Sequence, residues 1–407
     1  MTSLIVQVLH PTPIIVNVVQ KLIQILFAII ALPCLSLQAQ VVNVETEARQ
    51  LLEAGAVGFS MALIDKGGPY WTESHGFADI EAKRPMSIDF IMNVASISKT
   101  LTGASLMILV EQVKLDLDRD VNDYLPFKME NPHHPGIAIT ARQLLTHTSS
   151  IVDSGELYFS ETVYFPGADN PISLGDFVRE YLSSSGKFFD RANFALYPPG
   201  GEQQYGNIAY GLAGYLVEVL SGQPLNRFSA DKIFEPLDMR STGWMLAEVD
   251  TQNHSGLFEW RENGHVEVER YGLATWPDGG MRTSVRDLSR VFAAMINTGE
   301  FEGTRILSGH SLEAMFQPQF AEGQVLDSVV EDESHRQAIA WSYSNDMAGD
   351  TVVGHSGGDP GVTTQAYFYP ATGRGAILLV NTSSEIDSFN QAVSALIRAL
   401  LDAALEE

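Results

Sequence analysis

Regular spacing of hydrophobic residues begins after Val44, where a short helical segment leads into AVGFSMALIDKGGPYWTESHGFADI. Strand-like alternation in this stretch is broken at Gly67-Gly68-Pro69, which predicts two strands joined by a tight turn. After Ser96, KTLTGASLMILVEQ sets Leu101, Leu106, Leu109 and Val110 at helical spacing, over a length that crosses a domain. From about residue 116 to 275 the chain is loop-rich, with helical islands such as SLGDFVREYLSS and NIAYGLAGYLVEVLSG. Strand character then returns. QAIAWSYS, DTVVGHS, VTTQAYFYP and GAILLVNT are short β-rich runs parted by Gly, Asn, Asp and Pro, spaced as antiparallel neighbours. A last helix, from about Ile386 to Leu405, lines up Phe389, Val393, Leu396, Ile397, Leu400 and Ala404 on one face, as a helix covering a sheet does. Strands at both chain ends with helical material between them predict an α/β (α+β) architecture. Its antiparallel sheet, flanked by helices, is built from 40–115 and 275–407, and a mainly helical domain, 116–274, is inserted into it. The site is expected in the cleft between the two.

Composition narrows the function. With 407 residues and 45% hydrophobic content the chain can bury a full core. Fifty acidic against 25 basic residues give a net charge of -25, and the basic residues form no run. Nucleic acid and anionic membrane surfaces are therefore poor partners. Residues 1–39 differ from the rest: Lys21 precedes LIQILFAIIALPCLSLQAQ, an apolar stretch followed by small and polar residues, with Ala39 at the expected cleavage position. Export by a signal peptide is expected. The alternative is a membrane anchor, for which Leu22 to Leu32 is short of the roughly twenty residues that span a bilayer. Cys34 is the only cysteine, so a chain cut after Ala39 has neither a disulfide nor a cysteine nucleophile.

Two serines compete for a catalytic role. Gly354-His355-Ser356-Gly357-Gly358 matches the G-x-S-x-G nucleophile elbow, but that turn leads into a helix and requires a histidine further along the chain. Here VTTQAYFYP follows, which is strand, and every histidine precedes Ser356. The other candidate is Ser96-Ile97-Ser98-Lys99 at a helix start. One turn brings the amine to the hydroxyl, and the helix N-terminus favours negative charge there. An amine serves as base to a serine when burial and neighbouring donors favour its neutral form. Ser184-x-x-Lys187 repeats the spacing in a glycine-containing turn with no helix after it.

Three motifs in order, Ser96-x-x-Lys99, Tyr205-Gly206-Asn207 and His355-Ser356-Gly357, make the chain resemble the serine β-lactamases and penicillin-recognising D-peptidases. The group containing class C lactamases, D-aminopeptidases and esterases is the most similar. ITARQLLTHTSSI, PPGGEQQYGNIAYGLAGYLVEVLSG, IFEPLDMRSTGW and PDGGMRTSVRDLSR extend the resemblance over about 45–400. It implies a β-lactamase/transpeptidase-like fold and an acyl-enzyme mechanism without cofactor or metal. Ser96 is then the nucleophile and Lys99 its base or proton relay. Tyr205 shares the proton transfer, and Asn207 orients the lysine and the substrate. His355, Ser356 and Gly357 line the cleft, and the backbone N–H groups of Ser96 and Gly358 form the oxyanion hole.

The resemblance has two departures. His355 replaces the fixed lysine cation of many lactamases, which shifts the expectation towards esterase or D-peptidase activity on a small-molecule or peptidoglycan-type substrate. Ser150 stands where relatives usually have glycine. Other polar residues are expected to be structural: Tyr343 in a second Y-x-N, His133 and His134 in a proline-bounded loop, Arg142 and His147 as braces, and Asp287 at a helix start. Trp244, Trp276 and Trp341 suit either core or cleft. A non-catalytic receptor for peptidoglycan fragments, or a self-assembling scaffold, is the alternative from another functional class.

Overall fold

The computed structural model describes residues 43–319, 336–344 and 351–406, so the expected export segment lies outside the described residues. Helix α1 (43–53) leads into strands β1 (Gly58–Asp65) and β2 (Gly68–Asp79), which pair antiparallel as the Gly-Gly-Pro turn predicts. A short strand, β3 (Arg84–Pro85), closes that edge. The C-terminal runs become β4 (Arg336–Gln337), β5 (Ser342–Ser344), β6 (Val352–Asp359), β7 (Val362–Tyr369) and β8 (Arg374–Val380). Together they form an eight-stranded sheet in the order β4-β5-β6-β7-β8-β1-β2-β3. All its pairings are antiparallel, and β1 against β8 joins the two ends of the chain.

Strand periodicity divides the core in two. Phe59, Met61 and Leu63 of β1, with Leu378 and Val380 of β8, pack against α1 and the last helix, α6 (Asp387–Glu406). The intervening residues Ala62, Ile64, Ile377 and Leu379 join the larger core on the opposite face. Burial on both faces explains why β8 reads as a continuous apolar run, RGAILLV. All six residues expected on the inner face of α6 are buried.

Helix α2 (Ser98–Glu111) is the axis of the larger core: every residue from Ser98 to Leu109 is buried. Gly103 allows its closest packing, since a Cβ there would stand 2.3 Å from that of Ala340. Its polar residues are tied into the neighbouring backbone. Thr102 Oγ1 donates to the Pro277 carbonyl at 2.7 Å, and Ser98 Oγ accepts from the Met281 N–H at 3.0 Å. The helical islands become α3 (Leu174–Leu182) and α4 (Ile208–Ser221), which packs on α2; beyond them, α5 (Val285–Ile296) packs on β1 and β2.

All three tryptophans left open by sequence are core. Trp244 and Trp276 meet edge-on at 5.4 Å, and Trp341 packs against Phe292, Phe316 and Phe368. Trp341→Ala is expected to cost about 3–5 kcal/mol, the range for deleting a large buried ring. Guanidinium unfolding checks this, and a loss below about 1 kcal/mol would show that the surrounding rings close the gap.

Candidate active site

Ser96 lies in a single 3-10 turn, Ala95–Ile97, that runs directly into α2. The turn starts from Ala95 at φ +47°, a left-handed conformation that costs an alanine free energy and persists only when its surroundings impose it. They do so here through Val94, whose N–H donates to Met281 and whose carbonyl accepts from Thr364 Oγ1. On β6, Gly357 presses against the same turn. A Cβ there would meet Thr364 Oγ1 at 2.5 Å, the Val94 carbonyl at 2.7 Å and Ala95 Cβ at 3.0 Å, so only glycine lets the strand approach. Ser96 remains partly exposed.

Lys99, fully buried one turn later, donates to Ser96 Oγ at 2.9 Å, Asn207 Oδ1 at 2.7 Å and the Asp278 carbonyl at 2.8 Å. Three acceptors match the three donors of an ammonium. Tyr205, 48% exposed at the cleft mouth, donates its hydroxyl to Ser96 Oγ at 2.7 Å. Its ring stacks on His147 with 4.4 Å between centroids, and Lys99 Nζ stands 4.9 Å from its centre. The serine oxygen thus accepts from the amine and the phenol together.

Asn207 owes its orientation to Asp153, a residue that sequence reasoning passed over. The Asp153 carboxylate accepts from Asn207 N at 2.7 Å, Asn207 Nδ2 at 3.0 Å and Ile208 N at 2.9 Å, at the N-terminus of α4. With the amide nitrogen committed to Asp153, the amide oxygen points to Lys99. Burial pushes the Asp153 carboxyl up, and the α4 N–H groups and Lys99 pull against that rise.

The buried histidines are neutral. Burial, reinforced by the charge on Lys99, holds His355 down at about 4. Its Nδ1 faces the Ser356 carbonyl and so carries the ring proton, leaving Nε2 as an acceptor. His147, at φ +59°, is pushed well below the ordinary histidine range by burial, with Lys99 and His355 adding to the effect. Its Nδ1 accepts from Gly206 N at 3.2 Å and its carbonyl from Gln204 N at 2.8 Å, so it braces the segment that carries Tyr205.

All the residues expected at the site except the buried Lys99 line one cleft of about 280 Å³: Ser96, Tyr205, Asn207, His355, Ser356, Gly357 and Gly358. Ser356 is exposed on β6, and Gly358 has open space where a side chain would stand. The cleft also takes in Tyr158, Phe159, Tyr164, Asp278 and Asp359, which no motif spacing pointed to. In sequence, Asp278 in PDGGM and Asp359 in GGDPG stand among glycine and proline, which a turn alone accounts for.

The remaining polar candidates lie elsewhere. Ser184 and Lys187 are exposed. Tyr343 is in β5 with its hydroxyl on the Phe316 carbonyl; Asn345 of that motif lies outside the described residues. Arg142 pairs with Asp118 at 2.6 Å, and Asp287 accepts the N–H of Ser241 near the start of α5. His133 and His134 contact the carbonyls of Arg191 and Leu196. Ser150 takes φ +62°, the conformation a glycine adopts more readily, and its hydroxyl accepts from Asn131 Nδ2 at 3.0 Å. Among the described residues no group of three His, Cys, Asp or Glu is arranged to hold a metal ion.

Protein flp of Staphylococcus aureus (strain N315) is 21% identical over 329 residues, which are 81% of this chain and 60% of that protein. The chain therefore spans less than two thirds of that relative's length. The D-amino acid amidase of Ochrobactrum anthropi SV3, solved with D-phenylalanine, superposes with a TM-score of 0.68 at 21% identity, over 89% of this chain and 98% of the amidase. EstCE1, a hydrolase with promiscuous acyltransferase activity, gives 0.70 at 19% identity, over 90% and 99%. At such identities these likenesses speak for the fold. The Beta-lactamase family matches residues 43–400, from the middle of α6 back to the first residue described, and by that match and this architecture the chain belongs to the Beta-lactamase family, with its serine-hydrolase fold.

Proposed function

We propose that the protein is a serine hydrolase that cleaves an ester or amide bond through an acyl-enzyme on Ser96. The observation that carries this is the pair of hydrogen bonds on one oxygen, Lys99 Nζ at 2.9 Å and Tyr205 Oη at 2.7 Å from Ser96 Oγ. A receptor or a scaffold needs a cleft but has no use for two proton-transfer groups on one hydroxyl.

In this mechanism Ser96 Oγ bonds to the substrate carbonyl carbon as its proton passes to the Lys99 and Tyr205 pair, which accepts it with Lys99 as the neutral amine or Tyr205 as the phenolate. The carbonyl electrons move to oxygen, where the backbone N–H groups of Ser96 and Gly358 hold the oxyanion. Collapse breaks the bond to the leaving alcohol or amine, which takes its proton from Tyr205. Water then attacks the acyl group, gives its proton to the same pair, and Ser96 leaves with a proton restored. Asn207 holds the amine in place, and Ser356 contributes a polar contact on the β6 wall.

The neutral His355 supports ester or D-amino-acid amide and peptide substrates over efficient β-lactam hydrolysis. A lactam carboxylate meets no fixed cation on β6, only an imidazole acceptor and a serine hydroxyl. The D-amino acid amidase and the EstCE1 hydrolase with the same fold are consistent with this choice.

Wild-type protein is expected to hydrolyse p-nitrophenyl acetate faster than nitrocefin. Ser96→Ala is expected to lower kcat/KM by about 10³-fold or more and Tyr205→Phe by about 10²-fold. A fluorophosphonate probe is expected to label Ser96; equal turnover by wild type and Ser96→Ala, or a label on Ser356, would overturn the assignment. The histidine makes a separate prediction. With His355 held at about 4, its imidazole proton resonances stay flat from pH 8 to 5 and move only below that, whereas a transition near 6.5 would mean that β6 carries a cation at neutral pH.

A further inference from the structure

The cleft holds more carboxylate than acyl transfer uses. Asp278 and Asp359 both stand in its wall with Ser96. Asp278 is 1% exposed; its Oδ1 accepts from Tyr158 Oη at 3.3 Å, and its Oδ2 makes no hydrogen bond. Thr275 Oγ1, also without a hydrogen bond, favours the charged form of that carboxyl. Asp359 accepts from Tyr164 Oη at 2.7 Å through Oδ1. Three aromatic rings enclose the pair: Tyr158 and Tyr164 meet edge-on at 5.8 Å, Phe159 lies parallel to Tyr164 at 6.4 Å, and Phe159 is 78% exposed. An apolar ring so exposed on the lining of a cleft is placed for a ligand rather than for the core.

Neither carboxylate has an ion-pair partner among the described residues. The cations whose fields reach them are already committed. Lys99 spends its donors on Ser96, Asn207 and the Asp278 carbonyl, and Arg282 donates to the carbonyls of Trp244, Gly280 and Tyr271. Burial pushes Asp278 up to about 7 and Asp359 up to about 6, so the anionic form of each is disfavoured, and a bound cation would favour it. Carboxylates accept from ammonium N–H groups, and aromatic faces attract the same charge.

We propose that Asp278 and Asp359, walled by Tyr158, Phe159 and Tyr164, form a subsite for an ammonium group on the substrate, so that the enzyme selects esters or amides carrying a positive charge. The subsite rests on the Ser96 chemistry proposed above only for its effect on turnover; binding of the cation is independent of it. The rival role for the two acids is to act as counter-charges for Lys99, which would alter turnover of every substrate alike.

Benzylammonium and benzyl alcohol, which differ in charge and little in shape, separate these cases. Each is titrated as a competitor of p-nitrophenyl acetate hydrolysis, and each is also titrated calorimetrically into the full chain. Benzylammonium is expected to compete at least about tenfold more tightly than benzyl alcohol, and Asp359→Asn to bring the ratio close to one. Asp278→Asn, checked for native circular dichroism, serves if the first variant does not fold. Equal binding of the two probes by wild type, or a ratio unchanged in the folded variant, overturns the subsite. If p-nitrophenyl acetate is not hydrolysed, the hydrolase proposal fails, while the calorimetric ratio still decides the cation site.

Discussion

An amine at 0% exposure must find hydrogen-bond partners within the protein, because a polar group buried without them costs free energy. Lys99 meets that condition with three acceptors from three parts of the chain: the turn before α2, the first turn of α4 and the carbonyl at 278. Each acceptor is itself fixed. Asp153 holds Asn207, Thr102 and Ser98 tie the 277–281 segment to α2, and the turn at Ala95 is pinned to Met281 and Thr364. One nitrogen therefore links α2, α4 and that segment at a single point.

The same demand shapes the serine. A left-handed Ala95 costs free energy, and the cost is sustained because Gly357 of β6 lies against the turn with no room for a side chain. Strand β6 thus supports the turn from one side and forms the wall of the cleft on the other. Period-two alternation separates these tasks: His355 and Gly357 face inward, while Ser356 and Gly358 are exposed.

Charge in the cleft follows from Lys99 as well. Its field disfavours a second cation, so it adds to burial in keeping His147 and His355 neutral. The same field favours anions, so it opposes burial at Asp153, Asp278 and Asp359. A lysine on β6 would share the cleft with this amine; a neutral histidine avoids that repulsion.

Local patterns were enough for the elements and for the candidates. Alternation around Gly67-Gly68-Pro69 marks the β1 and β2 hairpin, the apolar run RGAILLV marks a doubly buried strand, and the spacing of Ser96 and Lys99 puts amine and hydroxyl one turn apart. Each of these depends on neighbours within a few residues, whose relation is fixed by backbone geometry. Motif order extended this to Tyr205, Asn207 and His355 by resemblance, without their distances. Asp153, Asp278, Asp359 and the aromatic wall were illegible, because a carboxylate in a turn looks the same in sequence whether it meets water or a buried amine. Whether Trp276 is core, whether His355 is charged, and which acid faces the serine depend on burial and on contacts between residues as far apart as 96 and 359. Packing of the whole chain decides those, and no local spacing encodes it.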